Sequence, residues 1–118
     1  MKSRESLVRL KQFQVNEKRR QLTQIETMMA EFQRMVAELE HQILAEEKKS
    51  GITDPGHFAY PTFAKAARQR ADNLQESTRE LKIQQDAAEI ALEEAEADYA
   101  KAAAIEERDQ SQKVSRAG

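Results

Sequence analysis

The sequence predicts an all-α fold, a long antiparallel two-helix coiled-coil hairpin, and three observations lead to it. Apolar residues recur every seven positions through the first half of the 118-residue chain, which is the spacing of a coiled-coil seam. A second seam, rich in alanine, runs through the second half. Between the two, the stretch GITDPGHFAYPTF (residues 51 to 63) gathers both prolines, two of the three glycines and half of the six aromatic residues. Gly and Pro at that density end helices and turn the chain.

In the first half, Val8, Val15, Leu22, Met29, Val36 and Ile43 occupy position a of successive heptads, with Ile25, Phe32 and Leu39 at d. The same frame puts Lys11 and Lys18 at d, where a long aliphatic stem can lie along the seam while the ammonium reaches water. Ser3 suits the N-cap and Glu5 the first turn, while Lys48 and Lys49 suit the last turn and Gly51 a left-handed stop. Helix one is therefore expected over about residues 4–49, with a loop over about 50–60. Within that loop, Asp54-Pro55-Gly56-His57 fits a type II turn, Pro at its second position and Gly at its third.

Pro61 suits the start of helix two, because its missing N–H is one that a first turn leaves unused. From there Ala64, Ala67, Ala71, Leu74, Thr78, Leu81, Gln85, Ala88, Leu92, Ala95, Tyr99 and Ala102 alternate at spacings of three and four. Small side chains let the partner helix approach, and the bulkier Met, Phe and Ile of helix one can fill the space. The helix is expected over about residues 61–110, followed by a polar, seamless tail over 111–118 that should be flexible. Helices of about 46 and 50 residues would each be on the order of 70 Å long.

Charge selects the antiparallel arrangement. Residues 1 to 20 carry seven basic and two acidic side chains, and residues 86 to 109 carry nine acidic and two basic. Folding at the loop sets position i against roughly 110 minus i, so the basic start lies along the acidic end. A parallel dimer would set like charge against like. Exposed pairs contribute only about 0.2–1 kcal/mol each, so they choose register more than they hold the fold.

The composition excludes several function classes. With 34% charged and 5% aromatic residues, the chain is poor material for a compact globular core. It has no cysteine, hence no disulfide framework and no thiolate metal site. MKSRESLVRL lacks the apolar core of a signal peptide and no run approaches the ~20 apolar residues of a membrane-spanning helix; a soluble cytoplasmic protein is expected. The net charge of −2 gives no reason to expect nucleic-acid binding.

No GxxxxGK[ST], GxGxxG or HExxH pattern occurs, which argues against phosphate-loop, dinucleotide and helical metalloprotease chemistry. His41 falls at an outward f position and His57 lies in the loop without a second ligand at fixed spacing, so both read as solvent-facing rather than metal-binding. Glu93, Glu94 and Glu96 form a row suited to a solvated helix face, not to paired acid–base work. The triplet Lys18-Arg19-Arg20 reads as an ordinary charged face beside the acidic partner helix. No catalytic residue, cofactor or metal site is expected, and the chain is read as a non-enzyme.

Some apolar residues have no place in either seam. Leu10 and Phe13 fall at c and f of helix one, and Ile83 and Ile90 both fall at f of helix two. These should face water or a partner, with Ile83 and Ile90 forming a candidate second surface. In the loop, Tyr60 extends the second seam backward by one heptad step, Phe63 falls beside it at g, and Phe58 has no helical face. These three either close the tip or form an aromatic contact patch.

A long hairpin beginning MKSRESLVRLKQFQVNEKRRQL, turning through GITDPGHFAYPTF with its Gly51-Ile52-Thr53 and Tyr60-x-x-Phe63, and returning on an alanine-rich helix resembles the flagellar export protein FliJ, most closely its shorter, alphaproteobacterial type. The resemblance spans roughly residues 1 to 110. It implies a soluble stalk of the flagellar type III export apparatus, similar to the coiled coil of rotary ATPase gamma subunits. It implies three partners: the hexameric export ATPase, the cytoplasmic domain of the large export gate protein, and substrate chaperones. It also implies a place in the cytoplasm, at the inner face of the membrane at the flagellar base, reached only through partners; a monomer is expected, although the sequence does not fix monomer against dimer. Tyr60 and Phe63 match the family's loop motif, and with Phe58 they are the expected gate contacts; Leu7, Leu10 and Phe13 are the expected ATPase contacts. Two alternatives share most of these features: a stalk from a virulence-type secretion system, and a structural scaffold that forms a parallel dimer.

Overall fold

The computed structural model describes residues 2–117, with side chains from 4 to 115. The chain is an all-α hairpin of two long helices, α1 (Lys2–Ser50) and α2 (Thr62–Ala117), running antiparallel. It divides into two compact units. A loop unit comprises Ile25–Gln84, and a terminal unit pairs the chain up to Gln24 with the chain from Gln85 onward.

In the loop unit, Val36 and Ile43 of α1 and Ala64, Ala67, Ala71 and Leu81 of α2 are buried. Ile25, Met29, Phe32, Leu39, Leu74 and Thr78 are half-buried. All of them are seam positions, as the heptad frame requires. Thr78 keeps its hydroxyl at the seam by donating to the Leu74 carbonyl one turn back, at 2.8 Å, a bond that leaves no polar group unpaired there. The deepest positions are alanines: Ala64 is fully buried, and Ala67 and Ala71 nearly so. A methyl group lets the facing helix approach more closely than a larger side chain would.

In the terminal unit, Val15 and Ala102 are buried, and Val8, Leu22, Ala88, Leu92, Ala95 and Tyr99 are half-buried. Lys11 and Lys18 are half-buried too, which fits stems lying along the seam. The pairing is antiparallel: Arg4 near the start of α1 forms an ion pair with Asp109 of α2. Gln14, Lys18 and Gln21 share a shallow groove of about 530 Å³ with Ala91, Ala95 and Asp98. Glu17–Arg20 here, and Glu76–Arg79 in the loop unit, are i,i+3 pairs on exposed faces, each contributing a few tenths of a kcal/mol, roughly 0.2–0.5.

Several boundaries differ from expectation. α1 already includes Lys2, so Ser3 lies inside the helix and its side chain is outside the described residues. The stretch expected to be a flexible tail is helical as far as Ala117. Ser111 to Ala117 lacks a seam, but it also lacks Gly or Pro, and nothing in it stops a helix already nucleated. Pro61 immediately precedes α2 and accepts its first hydrogen bond, from Lys65 N–H at 3.0 Å.

The stop of α1 is as expected. Gly51 has φ +75° and its N–H donates to the Glu47 carbonyl at 2.8 Å, the single-bond left-handed cap. Next, Ile52 N–H donates to the Ser50 hydroxyl at 3.2 Å. A Cβ at Gly51 would meet no neighbour within 4 Å, so Gly51→Ala should cost only its backbone strain, about 1 kcal/mol. Urea denaturation followed by circular dichroism checks this; an unchanged midpoint would contradict the cap.

Candidate partner-binding surface

The segment from Ile52 to Pro61 is built from two successive tight turns. His57 N–H donates to the Asp54 carbonyl at 3.0 Å, and Tyr60 N–H donates to the His57 carbonyl at 3.0 Å. Each turn opens with a residue whose side chain accepts from the backbone two residues on. Asp54 Oδ1 takes the Gly56 N–H at 2.9 Å, and His57 Nδ1 takes the Ala59 N–H at 3.0 Å. Among the described residues Gly51 is the one glycine with positive φ, and Gly56 is not, so the first turn is not type II. The Asp54 side-chain bond favours the right-handed arrangement, and Gly56 serves for space: a Cβ there would sit 3.3 Å from Asp54 Oδ1.

This framework sorts the three loop aromatics. Phe58, second in the His57–Tyr60 turn, is 97% exposed; its ring stacks on His57, with centroids 4.7 Å apart and planes at 22°. Phe63, in the first turn of α2, is 55% exposed. Tyr60 is only 7% exposed, which corrects its expected place among the surface contacts. Of the two jobs open to it, its ring does the closing of the tip.

Tyr60 is held there by a polar triad. Its hydroxyl donates to Glu47 Oε2 at 2.7 Å and accepts from Arg68 Nε at 2.9 Å, while Arg68 Nη2 donates to the same Glu47 oxygen at 3.0 Å. Glu47 is 6% exposed, yet it is covered by these immediate neighbours rather than by depth, as the thin core of two helices dictates. The Tyr60 hydrogen bond, then the Arg68 hydrogen bond and charge, hold its carboxyl below the usual range against an opposing desolvation effect. A lowered folded-state value means that the triad's stabilisation is present above the unfolded glutamate value of about 4.3 and is lost as pH falls through the folded value. Thermal melts from pH 7 to pH 3 should therefore show a smaller acid-induced drop for Glu47→Gln than for the parent chain. Equal drops would mean that the ionised Glu47 adds no stability through the triad.

The other expected contact residues lie where water reaches them. Leu7, Leu10 and Phe13, in the terminal unit, are 43%, 50% and 60% exposed, with Phe13 at the edge of the groove described above. Ile83 in the loop unit and Ile90 in the terminal unit are also exposed. Heptad reasoning overlooked Met28 and Met35, both at g, and Leu44 at b, all exposed. Leu44 borders a groove of about 230 Å³ with Glu40, Ile43, Glu47 and Arg68. The signal for them in the sequence is an apolar residue at g or b, outside the a/d seam.

No helix is long and apolar enough to cross a membrane, and no cluster of three His, Cys, Asp or Glu side chains that could hold a metal ion occurs among the described residues. Comparison with family models, curated proteins and solved structures finds no match for this chain.

Proposed function

We propose that this chain is a non-enzymatic adaptor of the flagellar type III export apparatus, a stalk that couples the export ATPase ring to the export gate and also meets substrate chaperones. The supporting observation is a fully exposed aromatic ring, Phe58, held by consecutive turns at the reversal of a hairpin whose seams are otherwise satisfied. An exposed ring costs solvation without packing in return, and a rigid aromatic is what protein interfaces use as an anchor. Phe63 adds to it. Leu7, Leu10 and Phe13 supply a separate apolar set in the terminal unit for the ATPase ring. Within each unit the α1 seam is occupied by α2, which favours an adaptor hairpin over a scaffold that would offer the same seam to a parallel copy.

Binding to the purified ATPase and to the gate's cytoplasmic domain tests the proposal. Phe58→Ala with Phe63→Ala should weaken gate binding by about 2 kcal/mol or more, roughly thirtyfold, without loss of helicity. ATPase binding should persist in that variant and fall in Leu7→Ala, Leu10→Ala, Phe13→Ala. If the loop variant binds the gate like the parent, the contact assignment is wrong; if the parent binds neither partner, the function is wrong.

A further inference from the structure

We infer that the partner surface that receives the loop end is an apolar pocket rimmed by carboxylates; this rests on the adaptor reading above and adds the chemistry of the partner. The anchor comes first. Phe58 is backed by the His57 ring, and its backbone lies in a turn closed by the Tyr60 N–H and braced by the Ala59 N–H on the imidazole. A side chain fixed before contact gains affinity against a pocket of fixed shape, whereas a fluid bilayer asks for no such preorganisation.

The surroundings of the anchor carry the sign of the rim. From Leu44 to Arg70 the chain has five basic and three acidic side chains. One of the acids, Glu47, is buried and paired with Arg68. That leaves Lys48, Lys49, Lys65 and Arg70 exposed, against exposed Asp54 and half-buried Glu46. Register sharpens the placement. In an antiparallel pair the g positions of the two helices flank the same side of the seam, just as Glu47 and Arg68 meet from e positions on the other. Lys49, Phe63 and Arg70 are all g residues, so the second apolar anchor sits on a cationic flank. In a chain whose net charge is −2, this end is locally positive. Its complement is an acidic rim around an apolar floor.

The test uses the purified cytoplasmic domain of the export gate protein in a surface-plasmon-resonance titration at rising NaCl, with phosphatidylglycerol vesicles as a second probe. Lys48→Glu with Lys49→Glu should slow association about tenfold at low salt and flatten its salt dependence, because rim charges act on encounter. Phe58→Ala should instead speed dissociation about tenfold and leave the salt dependence as it was. Circular dichroism should be unchanged in both, since all three positions are exposed. Wild-type association rates and salt slope in the charge-reversed variant would overturn the inference while leaving the adaptor reading intact. Phe58-dependent binding to the vesicles without Phe58 dependence on the gate domain would overturn it in favour of lipid. Absence of any gate binding by the parent chain would overturn both.

Discussion

Tyr60→Ala should destabilise the hairpin by about 3 kcal/mol, the lower end of the range for truncating a buried aromatic, because water can reach part of the space left in so thin a core. Two losses combine. The ring is 7% exposed, so its removal leaves a void at the tip, and the hydroxyl that joins Glu47 to Arg68 disappears. Tyr60→Phe separates them: it keeps the ring and should cost much less than Tyr60→Ala, as the Glu47 carboxylate loses one of its two donors but keeps Arg68. Urea midpoints for the two variants, read with amide exchange across Ile25–Gln84, measure both terms. If Tyr60→Ala unfolds at the parent midpoint, the ring does not close the core. The result also bears on function, since a binding defect in Tyr60→Ala would report a damaged loop unit rather than a lost contact.

Ala64→Leu should be destabilising by about 1–3 kcal/mol, although leucine is the better seam residue by heptad logic. Ala64 has no exposed surface and sits in the first turn of α2. Three added carbons must either push α2 away from α1 or force strained rotamers, and separation there pulls on the Glu47–Tyr60–Arg68 triad that joins the two sides. The neighbouring Ala66 is exposed, so Ala66→Leu is the control and should change stability by no more than about 0.5 kcal/mol. If Ala64→Leu stabilises the chain, the alanine seam marks loose packing rather than close approach.

The two seams were legible because a helix imposes its period on the sequence: from Val8 to Ile43 and from Ala64 to Ala102, every residue assigned to a or d is buried or half-buried. The antiparallel orientation was legible from charge, and the Arg4–Asp109 pair agrees with it, although that pair and Glu47–Arg68 lie three to five residues beyond the expected register. The turn type was not, because two arrangements compete within Asp54-Pro55-Gly56-His57, and the Asp54 carboxylate decides between them by accepting the Gly56 N–H. The burial of Glu47 was equally hidden. Its partners lie 13 and 21 residues away, and no local pattern marks a charged e position as one that a tyrosine will cover. For the same reason the three loop aromatics looked equivalent in the sequence, and only the second turn, which lifts Phe58 outward and returns Tyr60 to the seam, separates anchor from core.

An adaptor needs more than two separate affinities: its loop unit and its terminal unit must be engaged at once. Sedimentation velocity on a mixture of the chain, the purified export ATPase and the gate's cytoplasmic domain measures this directly. A species containing all three is expected, which Phe58→Ala with Phe63→Ala reduces to the chain and the ATPase. Two binary complexes that displace one another, with no ternary species, would contradict it.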